Sequence, residues 1–231
     1  AALAGGVLQI NLLVGRQVAS FFDGAIVWLY TADRLYQLPL GVVGIAIGIV
    51  LLPDLSRRLR AGDTTGGRDA FNRAAEISLA LTVPAAVALC VIPVPLIHVL
   101  FQRGAFDGHD TLATAAAVAV YGLGLPAFVL QKVLQPLYFA REDTTSPFRF
   151  ALVAMVVNAV LAVGLIYVAG FLAAAIGATV AAWAMVVLLW FGSRNMGEAV
   201  ALDDRLKKRI GRILLAATFM GLSLYTASLW L

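Results

Sequence analysis

The chain has 231 residues, of which 61% are hydrophobic and only 13% are charged, and its net charge is +4 at pH 7. A soluble domain is roughly half apolar and about a quarter charged, so this composition excludes a water-soluble globular protein. Long apolar runs predict membrane-spanning helices, and the alternating ten-residue segments of a membrane barrel do not occur in the sequence. The single cysteine, Cys90, excludes an internal disulfide.

Seven apolar segments follow one another, and we expect an all-α integral membrane protein, a polytopic helix bundle with about seven transmembrane helices. The segments cover residues 1–22, about 24–56, about 70–92, about 111–139, 147–169, 171–192 and 210–231. A run of about 20 residues crosses about 30 Å of hydrocarbon at 1.5 Å per residue. The sequence begins without Met and ends within its last apolar run, so we expect a fragment cut at both ends.

The basic residues give this bundle an orientation. Thirteen of the 17 lie in three connections that share one side if every segment spans, and the positive-inside rule makes that side cytoplasmic. They are Arg57, Arg58, Arg60, Arg68, Arg73, Arg141, Arg149, Arg194, Arg205, Lys207, Lys208, Arg209 and Arg212. The opposite connections hold only Arg103, which supports the number of segments.

Arg16, Arg34 and Lys132 lie within the apolar segments themselves. A charge inside a membrane helix is costly and therefore marks a candidate functional site. Arg34 follows Asp33 in the second segment, Lys132 lies in the fourth, and Arg16 is near enough to the outer end of the first to reach the headgroups. Three interpretations of Arg34 stand side by side. It pairs with an anionic group such as phosphate through two parallel hydrogen bonds, it forms a structural pair with an acid such as Asp33, or its side chain only extends to the headgroups.

Residue patterns of an enzyme are absent from the sequence. His98 and His109 are isolated, and no phosphate-binding glycine loop or buried pair of acids occurs. Glu142 and Asp143 form an acidic pair at a membrane interface, which suits either a solvated turn and helix cap or a membrane-bound transferase. The basic stretch RLKKRIGR at 205–212 is consistent with attraction of anionic lipid, and equally with charge that only sets topology.

Three long stretches carry a resemblance to a known family. They are ADRLYQLPLGVVGIAIGIVLLPDLSRRL at 32–59, FQRGAFD at 101–107 and GLPAFVLQKVLQPLYFAREDTTSPFRF at 124–150. In these residues and in their order the chain resembles the MurJ (MviN) family of bacterial lipid II flippases. The resemblance covers nearly the whole chain but only the second half of the family's architecture. It implies one lobe of the MATE-like, two-lobe fold of the MOP exporter superfamily.

The resemblance places the segments at about helices seven to thirteen of fourteen. It implies a C-terminal six-helix lobe at 1–192 whose first helix is truncated, a basic cytoplasmic loop at 193–209, and an additional, truncated transmembrane helix at 210–231. The implied location is the bacterial cytoplasmic (inner) membrane, with several passes. The implied partners are lipid II, membrane lipids and the N-terminal lobe of the same protein, which this chain lacks; no nucleic acid is expected.

The implied function is a flippase of peptidoglycan synthesis, a transporter rather than an enzyme, with no cofactor. Its two lobes would move by alternating access around a cationic cavity, which binds the pyrophosphate of lipid II and carries it from the cytoplasmic to the periplasmic leaflet. Arg34 matches the family's cavity arginine, and Lys132 matches a basic position on helix ten. We therefore expect Arg34, Asp33, Lys132 and Arg16 to bind substrate.

Coupling by an ion or by the membrane potential stays open. Some relatives have a sodium site with an acid on helix seven, but the matching position here is Val14, so Asn158 is a weak sodium candidate and no other metal site is expected. The alternatives are a related exporter of another polyprenyl-linked oligosaccharide or of a drug, a membrane-bound transferase acting on the same lipid, and a lipid-binding scaffold without transport. A drug exporter should favour an acidic cavity.

Overall fold

The computed structural model describes residue 15 and residues 17–46 and 51–230. Its helices are α1 (Ala25–Ala46), α2 (Leu52–Arg60), α3 (Thr64–Val91), α4 (Pro93–Phe101), α5 (Gly108–Phe139), α6 (Thr145–Gly164), α7 (Ile166–Ala169), α8 (Leu172–Ser193) and α9 (Asp204–Ser228), with a 3-10 stretch at Arg194–Val200. Within these ranges, five helices (α3, α5, α6, α8 and α9) are long and apolar enough to cross a membrane. The all-α membrane class is confirmed, whereas the expected count of seven spans is not.

The predicted segments and the observed helices differ mainly at their ends. Of the first segment, 1–22, only residue 15 and residues 17–22 are described. The second, 24–56, comprises α1 and α2, which lie on either side of the undescribed residues 47–50. The last helix begins at Asp204, within the predicted basic loop. It starts there because the Asp203 carboxylate accepts the Leu206 N–H at 2.6 Å and so caps the first turn.

Helix α5 is the centre of the described fold and packs against α1, α3, α4 and α8. Its 32 residues make it about 48 Å long. A reciprocal cap fixes its start, because Asp107 and Asp110 each accept the other's backbone N–H at 3.0 Å. Small side chains such as Ala115 and Ala117 are fully buried on it. Close packing of this kind is what associates helices in lipid, where hydrocarbon supplies no hydrophobic force between them.

Helix α1 lies beside α5 and runs in the same direction. Trp28, near the start of α1, donates its indole N–H to Asp110 at 2.7 Å. Two turns further, Tyr36 stacks on Tyr121 and Phe128, with ring centroids 5.0 and 5.2 Å apart. Residue numbers rise together on both helices, so the two are parallel. The predicted topology, in which both helices enter from the outer side, requires the same arrangement.

An ion-pair network joins α9 to α3 at the end predicted to be cytoplasmic. The Glu76 carboxylate, whose side chain is 13% exposed, lies 2.5 Å from Arg73, 3.3 Å from Arg205 and 3.5 Å from Arg209. Arg73 also pairs with Asp203 at 2.6 Å. The same aspartate therefore caps α9 and binds it to α3.

Two uncharged contacts complete this interface. Asn72, which is fully buried, donates to the Ala201 carbonyl at 3.0 Å and accepts the Asp203 N–H at 3.1 Å. Towards the other end, a Cβ on Gly221 would come within 2.7 Å of the Val87 side chain, so the backbone of α9 approaches α3 directly. Helix α9 is therefore held along much of its length.

The first prediction concerns this docking. Glu76→Gln should lower the free energy of unfolding by about 2 kcal/mol, because it removes the carboxylate that three arginines share. The loss stays below that of a fully buried pair since the arginine side chains are 34%, 57% and 49% exposed. Thermal unfolding of the purified complete protein measures it. Asp204→Asn is the matched control, because Asp204 is 88% exposed and pairs with Lys207 at 3.2 Å. An equally small effect of both substitutions would contradict the role given to Glu76.

Candidate functional site

Helix α1 has one buried face and one exposed face. Its buried residues are Ala25, Trp28, Leu29, Ala32, Tyr36 and Val43. Its exposed residues are Ile26, Val27, Tyr30, Arg34, Gln37, Leu38 and Val42. At the helical period of 3.6 residues, Arg34 lies at the centre of the exposed face. The candidate cavity arginine therefore points away from the rest of this chain.

The Arg34 guanidinium contacts a neighbour on its own helix. Its Nη2 donates to the Tyr30 hydroxyl at 2.5 Å, and its Cζ lies 4.7 Å from the centroid of the Tyr30 ring. Among the described residues it forms no ion pair, so the structural pair with Asp33 is not formed. Arg34 is nine residues beyond Ala25, which places it about 13 Å into the helix. A charge within an apolar membrane segment is expected to face a protein surface or a wet cavity rather than hydrocarbon.

Asp33 has its own partner one turn further along the helix. The Gln37 side-chain amide donates to the half-buried Asp33 carboxylate. One surface of α1 thus carries two side-chain pairs at i,i+4 spacing. Tyr30 pairs with Arg34, and Asp33 pairs with Gln37 on the neighbouring strip. Sequence reasoning found the two charged residues but missed Tyr30 and Gln37, although their spacing from the charges was a usable signal.

The direction of Arg34 is set from the opposite side of α1. Tyr36 is buried, and its ring lies at 29° to that of Tyr121 and at 24° to that of Phe128. Stacked aromatic pairs contribute about 0.5–1.5 kcal/mol each beyond their burial. Tyr36 follows Arg34 by two residues, or about 200° around the helix. Holding Tyr36 against α5 therefore holds Arg34 on the exposed side.

Lys132 lies beside α1, nearer than Arg34 to the end predicted to be cytoplasmic. It is exposed on α5, and its Cδ and Cε lie 3.8 Å from the position that a Cβ would take on Gly44. Gly44 is ten residues, or about 15 Å, beyond Arg34 along α1. Lys132 and Arg34 therefore do not contact each other, and they occupy two levels along the same helix.

The remaining two candidates are Arg16 and Asn158. Arg16 lies outside the described residues. Asn158 is 3% exposed in the interface of α6 and α8, where a Cβ on Gly177 would come within 2.7 Å of its Oδ1. This position gives Asn158 a packing role between two membrane helices. Its part in a sodium site stays a prediction.

A cluster of two acids and one histidine at the outer end of α5 has a structural role. Ligand atoms of Asp107, His109 and Asp110 lie within 4.8 Å of one another. Both carboxylates, however, take part in the cap of α5, and Asp110 also accepts the Trp28 indole N–H. The His109 ring packs edge-on against Trp28 at 5.2 Å. The cluster thus joins the outer ends of α1 and α5.

The two residues of the acidic pair considered for a transferase have different structural roles. The Asp143 carboxylate accepts the N–H groups of Thr145 at 3.1 Å and Ser146 at 2.9 Å, at the start of α6. Hydrogen bonds from the Ser146 side chain and backbone lower the pKa of Asp143. Glu142 is exposed and adopts a positive φ of 60° in the preceding turn. The helix-cap interpretation is confirmed for Asp143.

A cavity of about 530 Å³ opens between the inner ends of α1, α2 and α3. Its walls are mainly apolar, and Arg58 and Arg73 lie among the lining residues. Arg58 pairs with Asp54 at 2.8 Å, and Arg73 belongs to the Glu76 network. Because protein carboxylates already compensate both cations, this cavity attracts an anion less strongly than the exposed Arg34 does.

Comparison with known proteins gives a family match over the whole chain. The family model described as "Lipid II flippase MurJ" matches residues 1–231. A relative from Rhizobium meliloti (strain 1021), named "Probable lipid II flippase MurJ", is 45% identical over 231 residues, which are 100% of this chain and 43% of that protein. A relative of the same name from Rhizobium tropici is 45% identical over 96% of this chain and 41% of its own length. The chain thus spans less than half of these curated relatives.

Solved structures share the fold. A structure described as "Lipid II flippase MurJ, inward closed conformation" superposes with a TM-score of 0.82 at 28% identity, covering 96% of this chain and 45% of its own. A MOP superfamily transporter from Pyrococcus furiosus superposes with a TM-score of 0.57 at 20% identity, over 98% of this chain and 52% of its own. The second likeness supports the fold alone.

The second prediction tests the packing role of Asn158. Gly177→Ala should lower the free energy of unfolding by about 1–3 kcal/mol, because the new methyl group would lie 2.7 Å from Asn158 Oδ1 and 2.9 Å from the Asn158 carbonyl. Gly211→Ala is the control, since a Cβ there has no atom within 4 Å and alanine favours the helix. Thermal unfolding with and without sodium measures both variants. A Gly177→Ala protein as stable as the Gly211→Ala protein would refute the tight interface.

Proposed function

The chain belongs to the MurJ family of lipid II flippases, and from this membership we propose that it supplies one lobe and one further helix of a two-lobe transporter for lipid II. The five apolar helices within its described part, together with its family, make it a multi-pass protein of the bacterial inner membrane. The proposed transporter moves lipid II from the cytoplasmic to the periplasmic leaflet. The observation that carries the proposal is the exposed Arg34 in the outer half of α1, which forms no ion pair among the described residues.

The chemistry of this face suits the pyrophosphate of lipid II. A guanidinium offers five N–H donors in a planar fork, which matches two phosphate oxygens at once. The Tyr30 hydroxyl takes one donor at 2.5 Å and limits the rotation of the group. The remaining donors are available to an anion. In a cavity with little water, this charge-assisted pairing is stronger than it is at a solvated surface.

Lys132 supplies a second cation nearer the cytoplasmic end. It lies seven residues before the end of α5, or about 10 Å from that end. A headgroup entering from the cytoplasm would meet Lys132 before Arg34, about 15 Å further along. The opposing wall of the cavity would come from the N-terminal lobe. Movement then requires that the headgroup bind the inward-open and outward-open states with different affinity.

The positive sign of this face also separates the proposed cargo from cationic drugs. Arg34 and Lys132 would repel a cation, and Asp33 is half-buried and held by Gln37. A polyprenyl-linked anion other than lipid II fits the same chemistry, and the choice between these two cargoes rests on the family.

The third prediction removes the central charge. In the complete protein, Arg34→Ala should abolish growth of a strain depleted of its own flippase, while the protein inserts at a normal level. Arg34→Lys should restore growth poorly, because an ammonium does not reproduce the planar fork. Arg103→Ala is the control, since Arg103 is exposed in the outer connection and donates to the Leu100 carbonyl. Normal growth with Arg34→Ala would overturn the site.

The fourth prediction concerns the residue that positions Arg34. Tyr30→Phe keeps the ring beneath the guanidinium and removes the hydroxyl, so we expect the affinity for lipid II to fall about threefold to tenfold. Tyr30→Leu removes both contacts and should lower it further. Tyr225→Phe, an exposed tyrosine on α9, serves as the control. Titration of the purified complete protein with lipid II gives the affinities, and equal values for all variants would exclude this role.

A further inference from the structure

Gln37 is a polar residue on the exposed face of α1, and the pairing of Arg34 with an anion does not use it. It lies three residues beyond Arg34, towards the end of α1 that is predicted to be cytoplasmic. Residues at this spacing are neighbours on a helix, with Cβ atoms about 5–6 Å from each other. A ligand that is bound at Arg34 therefore has its next atoms within reach of Gln37.

The orientation of the Gln37 amide is set by Asp33. The Gln37 Nε2 donates to the Asp33 Oδ2, one turn earlier on α1. A carboxylate only accepts hydrogen bonds, so the amide nitrogen faces Asp33 and the amide oxygen faces away from it. No hydrogen bond to the Gln37 Oε1 occurs among the described residues. The exposed end of this side chain thus presents an acceptor of fixed direction.

Stabilisation of the helix accounts for only part of this arrangement. A Gln–Asp pair at i,i+4 spacing stabilises a helix slightly, but it uses the amide nitrogen alone. Between Leu35 and Leu52, Gln37 is the only residue with an amide or a charged side chain. A polar oxygen without a partner costs free energy where water is scarce. An acceptor retained in so apolar a segment therefore favours a ligand that brings a donor.

The headgroup of lipid II brings such a donor. Its first sugar is bonded to the pyrophosphate through C1 and carries an acetamido group on the adjacent carbon, C2. The acetamido N–H is thus the hydrogen-bond donor of this sugar that lies next to the pyrophosphate. The guanidinium of Arg34 has donors only and cannot bind an N–H group, whereas the amide oxygen of Gln37 can accept it.

We propose that Gln37, oriented by Asp33, recognises the acetamido N–H of the sugar bonded to the pyrophosphate. This inference rests on the proposed function, because it requires the pyrophosphate at Arg34. Arg34 then binds the group that all polyprenyl pyrophosphates share, and Gln37 selects those whose first sugar is N-acetylated. Asp33 is a positioning residue for this contact.

The test compares two lipids that differ only at C2 of the sugar. The purified complete protein is titrated with undecaprenyl pyrophosphate that bears N-acetylglucosamine, and with the same lipid bearing 2-deoxyglucose. The unsubstituted protein should bind the first about threefold to tenfold more tightly, which is the range of one hydrogen bond. Gln37→Met keeps the length of the side chain and should abolish this preference by weakening the binding of the first lipid alone. Asp33→Asn should reduce the preference, because Gln37 can then pair with residue 33 in either orientation.

Two further variants separate this inference from the proposed function. Leu38→Met is the matched control, because Leu38 is 67% exposed on the same face and has no hydrogen-bonding group, so the preference should persist. Arg34→Ala should weaken the binding of both lipids by the same factor, and unchanged binding of both would overturn the pyrophosphate site itself.

The role of Gln37 fails on its own in two cases, even where Arg34→Ala weakens both lipids. The unsubstituted protein binds the two lipids equally, or the preference survives Gln37→Met. A full preference in the Asp33→Asn protein would overturn the positioning by Asp33.

Discussion

The structure depends on how helix α1, in an apolar segment of the chain, carries an arginine on its exposed side. Hydrocarbon cannot solvate a guanidinium, and an arginine at the centre of a membrane helix costs about 2.5–3.5 kcal/mol even on insertion scales. Helix α1 could reduce this cost by turning Arg34 towards its own bundle. It does not, because the opposite face is bound to α5. The exposed charge thus follows from contacts on the other side of the helix.

The free energies of these contacts are large enough to hold α1 in place. Two aromatic stacks at Tyr36 contribute about 0.5–1.5 kcal/mol each, and a hydrogen bond to a charged group, such as that from Trp28 to Asp110, contributes about 1.5–3 kcal/mol. Together they match or exceed the insertion cost of one arginine. Rotation of α1 would break all of them at once. The chain therefore holds Arg34 outward as part of its fold, before any ligand binds.

The sequence predicts those features that depend on local composition. Apolar runs predicted the helical membrane class, and the cost of charge in lipid marked Arg34 and Lys132. A helix cap was one of two interpretations of the pair Glu142 and Asp143, and the partners of Asp143 lie only two and three residues away. The contacts that direct these residues depend on helices meeting in space. Trp28 and Asp110 are 82 positions apart, and no periodicity within α1 reveals that pair.

The charged residues of the chain separate into two groups by whether the protein compensates them. Glu76 with its arginines, and Asp110 with Trp28, hold helix ends together, and each has its partner within the described part of the chain. Arg34, Lys132, Lys208 and Arg212 are exposed and form no ion pair among the same residues. An uncompensated cation near hydrocarbon is costly, so a fold that retains one leaves free energy available to an anionic ligand. Such cations occur in the outer half of α1, towards the inner end of α5, and in the first turns of α9. The same physical reasoning supports the proposal that the first two levels bind an anionic cargo.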